Sequence, residues 1–277
     1  MRFAENGIPE FKVYMKITCN YVSKALGRAV DIVMAIPSPV YPDTLGYGGK
    51  AEFSPVAKYP VLFLLGGIGN DCNSIFDYTR VQLYAEEYNI AIVSVSGENK
   101  FYADLGGENF SEFLEEELPV LVRGYFPVSE RTEDTFIAGL SMGGYGALLH
   151  YLKRPERFYA VGCFSGAVGK FDYAETEEGK DYNIYNLLDQ RIKSNKKPEN
   201  IYLACGSEDF IKECSLKLKQ YLEDKKVKFS WKEVSGYGHE WRFWDEQIEE
   251  FLKWLPRTDF YNDKHRKVCY EIQRCNI

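Results

Sequence analysis

The residues with the clearest capacity for chemistry are Gly139-Leu140-Ser141-Met142-Gly143, a G-x-S-x-G pattern set between an apolar run and a run of small residues. Thr135-Phe136-Ile137-Ala138 leads in as a buried strand would. Gly144-Tyr145-Gly146-Ala147-Leu148 leads out as a helix packed closely on a sheet would. A serine on such a strand-to-helix turn stands clear of its neighbours, and the helix N-terminus favours negative charge developing beside it. This is the setting of a nucleophile; stripped of its flanks, the same pattern is only a Gly-rich turn opening a helix.

A serine hydroxyl attacks at neutral pH only with a base beside it. The chain has three histidines. His150 falls about two and a half turns into the helix after Ser141, which points it away from the catalytic edge and gives it a structural role. His265 sits in a charged C-terminal run and reads as solvated. His239, in Val234-Ser235-Gly236-Tyr237-Gly238-His239-Glu240-Trp241, falls between the last strand and the last helix, at the strand ends where Ser141 also lies.

An acid to orient that imidazole should follow a strand between the two. Ala204-Cys205-Gly206-Ser207-Glu208-Asp209-Phe210 supplies two adjacent carboxylates. Asp209 is the preferred partner and Glu208 its competitor, and either could instead be a helix N-terminal carboxylate. An oxyanion hole would combine the N–H of Met142 with an amide from the turn Leu65-Gly66-Gly67-Ile68-Gly69-Asn70. Ile68 is the candidate donor and Gly67 the runner-up. The turn lacks both the lysine of a P-loop and a full G-x-G-x-x-G, so it does not read as a nucleotide site.

The elements that must position these groups follow from periodicity. Residues 12–19 and 28–36 read as strands joined through Gly27, and 37–59, rich in proline and glycine, reads as a long loop. From Pro60 onward short apolar strands (59–65, 89–96, 134–140, 158–166, 200–206, 227–234) alternate with helices near 74–88, 109–123, 142–153, 211–224 and 241–254. That alternation predicts an α/β fold with a mostly parallel central sheet flanked by helices. Residues 1–255 are expected to form one domain, with 256–277 a charged extension.

Composition narrows the function classes. The 277 residues carry a formal charge of -7, which argues against a nucleic-acid binder. No segment approaches the roughly 18 apolar residues needed to cross a bilayer, so no membrane partner is expected. Seven cysteines (19, 72, 163, 205, 214, 269, 275) lack ligand or disulfide spacing and suit a reduced, cytoplasmic protein. Neither they nor the histidines predict a metal site. Oligomeric state is not readable.

The stretches YPVLFLLGGIGN, EFLEEELP, DTFIAGLSMGGYGALL, KRPERF, GSEDF and GYGHEWRFWDEQI resemble the esterase D family of α/β-hydrolases, in particular its tributyrin-esterase and carbohydrate-esterase (acetylxylan and feruloyl esterase) branches. The resemblance covers most of residues 59–255. It implies Ser141, Asp209 and His239 as a catalytic triad, the amides of Ile68 and Met142 as the oxyanion hole, and hydrolysis of short-chain acyl esters without a cofactor. The chain departs from the family in having Gly66-Gly67 where His-Gly is frequent, and Tyr145 where relatives that hydrolyse S-formylglutathione often carry histidine. The expected substrate is a small or oligosaccharide acyl ester, acetyl to butyryl or feruloyl. A thioesterase of the S-formylglutathione type and an acyltransferase are the alternatives, with a non-catalytic binding protein on the same scaffold further off. Phe101, Tyr102, Phe171, Tyr173, Tyr182 and Tyr185 lie in loops that could wall a cleft near the strand ends and stack on sugars or aromatic acyl groups, with plain packing as the other role open to many of them.

Overall fold

Five-residue strands with no polar face can be satisfied only in a sheet covered on both sides, and the chain builds one. The computed structural model describes residues 14–37, 55 and 57–259. Its strands are β1 (Tyr14–Ser23), β2 (Arg28–Pro37), β3 (Val61–Leu65), β4 (Ala91–Val95), β5 (Thr135–Leu140), β6 (Ala160–Phe164), β7 (Ile201–Gly206) and β8 (Phe229–Val234). They form one eight-stranded sheet in the order β1-β2-β4-β3-β5-β6-β7-β8. Pairing is antiparallel between β1 and β2 and between β2 and β4, and parallel from β4 through β8.

The helices are α1 (Ser74–Tyr78), α2 (Val81–Glu87), α3 (Phe110–Glu112), α4 (Leu118–Tyr125), α5 (Met142–Lys153), α6 (Ile184–Lys193), α7 (Lys212–Asp224) and α8 (Trp241–Trp254). Side chains alternate along each strand and so divide the core in two. Val61, Phe63 and Leu65 pack with Val122 of α4, Leu149 of α5, Leu188 of α6 and Leu218 of α7. Leu62 and Leu64 point the other way, to Phe76 of α1, Tyr84 of α2 and Ile248 and Phe251 of α8. No helix among the described residues is long and apolar enough to cross a membrane.

The structure departs from the periodicity in four places. β1 runs on to Ser23, paired with β2 down to the turn at Gly27. The helix expected over 74–88 breaks between α1 and α2, where Thr79 is extended and both its N–H and its hydroxyl return to Ile75 O, at 3.1 and 2.6 Å. The helix expected over 109–123 is interrupted by a π-helical turn, Phe113–Glu117, between α3 and α4. α6 was not expected at all; Asn183 caps it, its side chain accepting from the amides of Tyr185 and Asn186 at 3.0 and 3.2 Å.

Most of the 37–59 loop and the tail from 260 lie outside the described residues. The first residues past Leu255 are held to the body. Arg257 donates to the Asp259 carboxylate at 2.6 and 2.7 Å and to the carbonyls of Tyr88 and Asn89.

Phe251 has no exposed surface and lies 5.9 Å from the Phe164 ring and 5.8 Å from the Tyr202 ring. Phe251→Ala should therefore lower stability by about 3–5 kcal/mol in urea unfolding. Tyr125→Ala, at an exposed position, should stay within about 0.5 kcal/mol of wild type. Equal losses at the two sites would contradict this division of the core.

Candidate active site

The turn between β5 and α5 forces Ser141 into a conformation that non-glycine residues rarely adopt, φ 55° and ψ -118°. Three hydrogen bonds hold it there. Ser141 N–H donates to Phe164 O at 2.9 Å, and Ser141 O accepts from Tyr145 N at 3.2 Å and Ala167 N at 3.0 Å. The glycines of the motif are needed for close approach. A Cβ on Gly139 would lie 2.2 Å from Gly143 O, and one on Gly143 would lie 2.1 Å from Leu65 O. The serine side chain makes no capping bond to its own helix, which leaves Oγ available.

Oγ is used by His239. Its Nε2 lies 3.0 Å from Ser141 Oγ, and its Nδ1 lies 3.0 Å from each carboxylate oxygen of Asp209. Because a carboxylate only accepts, Nδ1 carries the proton and Nε2 faces the hydroxyl as acceptor. The Asp209 side chain has no exposed surface and that of His239 keeps 13%. Burial alone would raise the Asp209 pKa. Hydrogen bonds from His239 and from the Ile211 amide (2.9 Å) outweigh it and hold the carboxyl below its ordinary value.

Glu208, the competitor, is exposed. The two loops lock together through Glu208 N–H to Tyr237 O (2.9 Å), Ser207 N–H to Val234 O (2.9 Å) and Gly236 N–H to Ser207 Oγ (2.9 Å). That register turns residue 209, not 208, toward the imidazole. The imidazole touches two rings, that of Phe210, 4.5 Å away, and that of Trp244, 4.9 Å away and perpendicular.

The Gly66–Asn70 turn lies against Ser141: a Cβ on Gly67 would come within 3.3 Å of Ser141 Cβ. Within the turn Gly67 N–H donates to Asn70 Oδ1 at 2.8 Å, and Gly67 O accepts from Asn70 N at 3.2 Å. Gly67, the runner-up donor, is therefore engaged. The N–H groups of Ile68 and Met142 have no acceptor among the described residues.

His150 is buried in α5, away from this constellation, where it bonds Glu115 and a backbone carbonyl. His265 lies outside the described residues. Of the two roles open to the loop aromatics, cleft wall or packing, the structure gives most of them the second. Phe101 and Phe171 stack at 4.6 Å, and Tyr102 and Phe171 are buried. The large apolar side chains exposed at the site are instead Ile68 (59%) and Phe210 (77%). Phe210 was missed as a site residue, although its place directly after Asp209 was the available signal. Among the described residues no group of three or more His, Cys, Asp or Glu side chains is arranged to hold a metal ion.

Residues 47–255 match the family model described as "Putative esterase". An acetyl esterase of Caldicellulosiruptor saccharolyticus is 32% identical over 264 residues, covering 86% of this chain and 97% of that protein. Among solved structures, fluorophosphonate-binding serine hydrolase F of Staphylococcus aureus superposes with a TM-score of 0.77 at 23% identity, over 90% of this chain and 99% of that one. A ferulic acid esterase of Anaeromyces mucronatus, in complex with ferulic acid, gives 0.66 at 18% identity, over 91% and 97%. These structural likenesses carry the fold, and the family match carries the chemistry: the chain belongs to this esterase family and is a carboxylic ester hydrolase of the α/β-hydrolase fold.

Proposed function

We propose that the chain hydrolyses short acyl esters, acetyl to butyryl, carried on sugar hydroxyls, through an acyl-enzyme on Ser141 with His239 as base, Asp209 as its orienting acid, and the amides of Ile68 and Met142 as the oxyanion hole. The observation that carries the reading is the unbroken path Asp209–His239–Ser141, with 3.0 Å at each link. The acetyl esterase relative supports the acetyl end of that range. The five free cysteines among the described residues support a cytoplasmic setting.

In this mechanism neutral His239 takes the hydroxyl proton through Nε2 as Oγ attacks the ester carbonyl. Asp209 keeps Nδ1 protonated and stabilises the imidazolium. The oxygen of the tetrahedral adduct gains charge against the two unengaged amides. The imidazolium then gives its proton to the leaving alkoxide. Water repeats the cycle on the acyl-enzyme and returns the acid product.

Ser141→Ala should abolish hydrolysis, lowering turnover by at least about 10³-fold, and should abolish labelling by a fluorophosphonate while leaving the melting temperature near wild type. A panel of p-nitrophenyl esters, acetylated and feruloylated xylo-oligosaccharides and S-formylglutathione checks the substrate. Acetylated oligosaccharides should be turned over with higher kcat/KM than the thioester, and the opposite order would replace this reading with the thioesterase one.

The two carboxylates separate cleanly. Asp209→Asn should lose about 10³–10⁴ in kcat, whereas Glu208→Gln, a change at an exposed side chain, should alter kcat by less than about tenfold. The reverse ranking in steady-state kinetics would move the acid to Glu208.

The pH profile has a definite sign. The Asp209 pKa is lowered, so this carboxylate stays charged further into acid than an ordinary one. Activity should fall with decreasing pH because only neutral imidazole accepts the serine proton. A pH–rate profile of kcat/KM that does not fall on the acid side would remove His239 as the base.

A further inference from the structure

The oxyanion turn is held from behind by a buried apparatus that the hydrolytic steps do not use. Two successive peptide planes of the turn are fixed. In the plane between Gly66 and Gly67, the carbonyl accepts from Tyr102 Oη at 3.1 Å and the N–H donates to Asn70 Oδ1 at 2.8 Å. In the next plane Gly67 O accepts from Asn70 N at 3.2 Å, which leaves the Ile68 N–H at its other end to point outward. The following plane is held too, Gly69 N–H donating to Asn99 Oδ1 at 2.7 Å, so the direction of the Ile68 N–H is set by Tyr102 and Asn70 before it and by Asn99 after it.

Tyr102 is itself held. Its residue has 1% exposure, and its backbone is left-handed at φ 56°. Its ring lies on α5, where a Cβ on Gly146 would come within 2.6 Å of it, and under Gly97, where a Cβ would come within 2.5 Å. One turn further along α5, His150 Nε2 lies 2.9 Å from Tyr102 O, and His150 Nδ1 lies 2.8 Å from Glu115 Oε1. Gly143, Gly146 and His150 thus occupy one face of the helix at i, i+3 and i+7, meeting in turn the oxyanion-turn backbone, the Tyr102 ring and the Tyr102 carbonyl.

A carbonyl only accepts, so His150 Nε2 carries a proton, and the 2.8 Å contact to Glu115 needs a second proton between the two. Neither His150 nor Glu115 is exposed, at 0% and 4%, and a buried polar group is tolerated only when satisfied. Glu115 lies in the π-helical turn Phe113–Glu117. Burial raises the Tyr102 pKa, so its hydroxyl remains a protonated donor.

We infer that Tyr102, seated by the buried Glu115–His150 pair, is a positioning residue for the oxyanion hole, holding the Gly66–Gly67 peptide so that the Ile68 amide faces the reacting carbonyl. The inference rests on the assignment of Ile68 N–H as an oxyanion donor. Its action is confined to the charged transition state, so the affected quantity is kcat rather than KM.

Tyr102→Phe removes only the hydroxyl. It should lower kcat for p-nitrophenyl acetate about tenfold, a fraction of the loss from deleting an oxyanion donor outright, with KM within about twofold; the melting temperature should fall by only a few degrees, the cost of leaving the Gly66 carbonyl without its donor. Binding of a trifluoromethyl ketone, which forms a tetrahedral oxyanion on the serine, should weaken by the same factor. His150→Gln should move both quantities in the same direction, and the double variant should be no slower than the slower single one, because both act through one peptide. If His150→Gln does not fold, Tyr102→Phe decides alone. Turnover and inhibitor affinity of Tyr102→Phe within twofold of wild type, with Ser141→Ala inactive, would overturn the positioning role and leave the triad standing. Activity surviving in Ser141→Ala would instead remove the site on which the inference rests.

Discussion

The backbone at Ser141 is the constraint around which the other parts are arranged. A non-glycine residue at positive φ is held against a cost of order 1–3 kcal/mol, so the surroundings must over-determine it. Here both backbone polar groups of Ser141 are tied, to the end of β6, to the loop after it and to the first turn of α5. The same geometry throws the side chain out of the turn and leaves the helix N-terminus open beside it. It also requires strand and helix to touch where they meet, which is why Gly139 and Gly143 stand with nothing larger than hydrogen between their Cα atoms and the neighbouring carbonyls. Strain, exposure of the hydroxyl and the small flanking residues are one condition seen three ways.

Around that fixed point the two halves of the site are held by different means. The His239 side depends on backbone pairing: the loops after β7 and β8 exchange hydrogen bonds at Ser207, Glu208 and Gly236, and the imidazole position follows from that register. The Gly66–Asn70 turn has no such ladder. It leaves the sheet after Leu65 and closes on itself through Asn70, so its outer support comes from two side chains, the Tyr102 hydroxyl on Gly66 O and Asn99 Oδ1, which accepts from Gly69 N–H. α5 serves both halves, with Ser141 at its start and the seat of Tyr102 along one face.

What could be read from the sequence is what local chemistry decides. The strand-to-helix elbow, the chain order Ser141, Asp209, His239 and the parallel sheet are written in short runs whose meaning does not depend on distant contacts. The choice between Asp209 and Glu208 does depend on one, the pairing of the 206–209 turn with Tyr237, and so composition left it open. α6 escaped because its apolar positions are spread among Tyr, Asn and Asp, and its start is set by the Asn183 cap rather than by a hydrophobic run. The role of the loop aromatics stayed open for a related reason. Phe101 and Phe171 look like cleft residues by position, but each finds its partner in the other. His150 was legible as structural, and its spacing from Gly143 and Gly146 acquired meaning only once Tyr102 was seen to fill the space above the helix.

The placement of exposed apolar surface gives the proposed chemistry its direction. Ile68 lies in the Gly66–Asn70 turn and Phe210 lies against the imidazole, so each of the two loops that meet the Ser141–His239 pair carries an exposed apolar side chain. On the proposed reading, an ester carbonyl bound beside them loses water where charge develops, and hydrogen bonds to an oxyanion gain strength as local water is excluded. The requirement for dryness ends at the reacting carbon. A hydrophilic alcohol lying beyond the rim keeps its hydration, so a sugar hydroxyl as leaving group costs this site little desolvation. A long acyl chain has to find apolar cover for every further methylene, at about 0.8 kcal/mol for each one left in water. On the proposed reading, that asymmetry favours a small acyl group on a polar alcohol over the reverse arrangement.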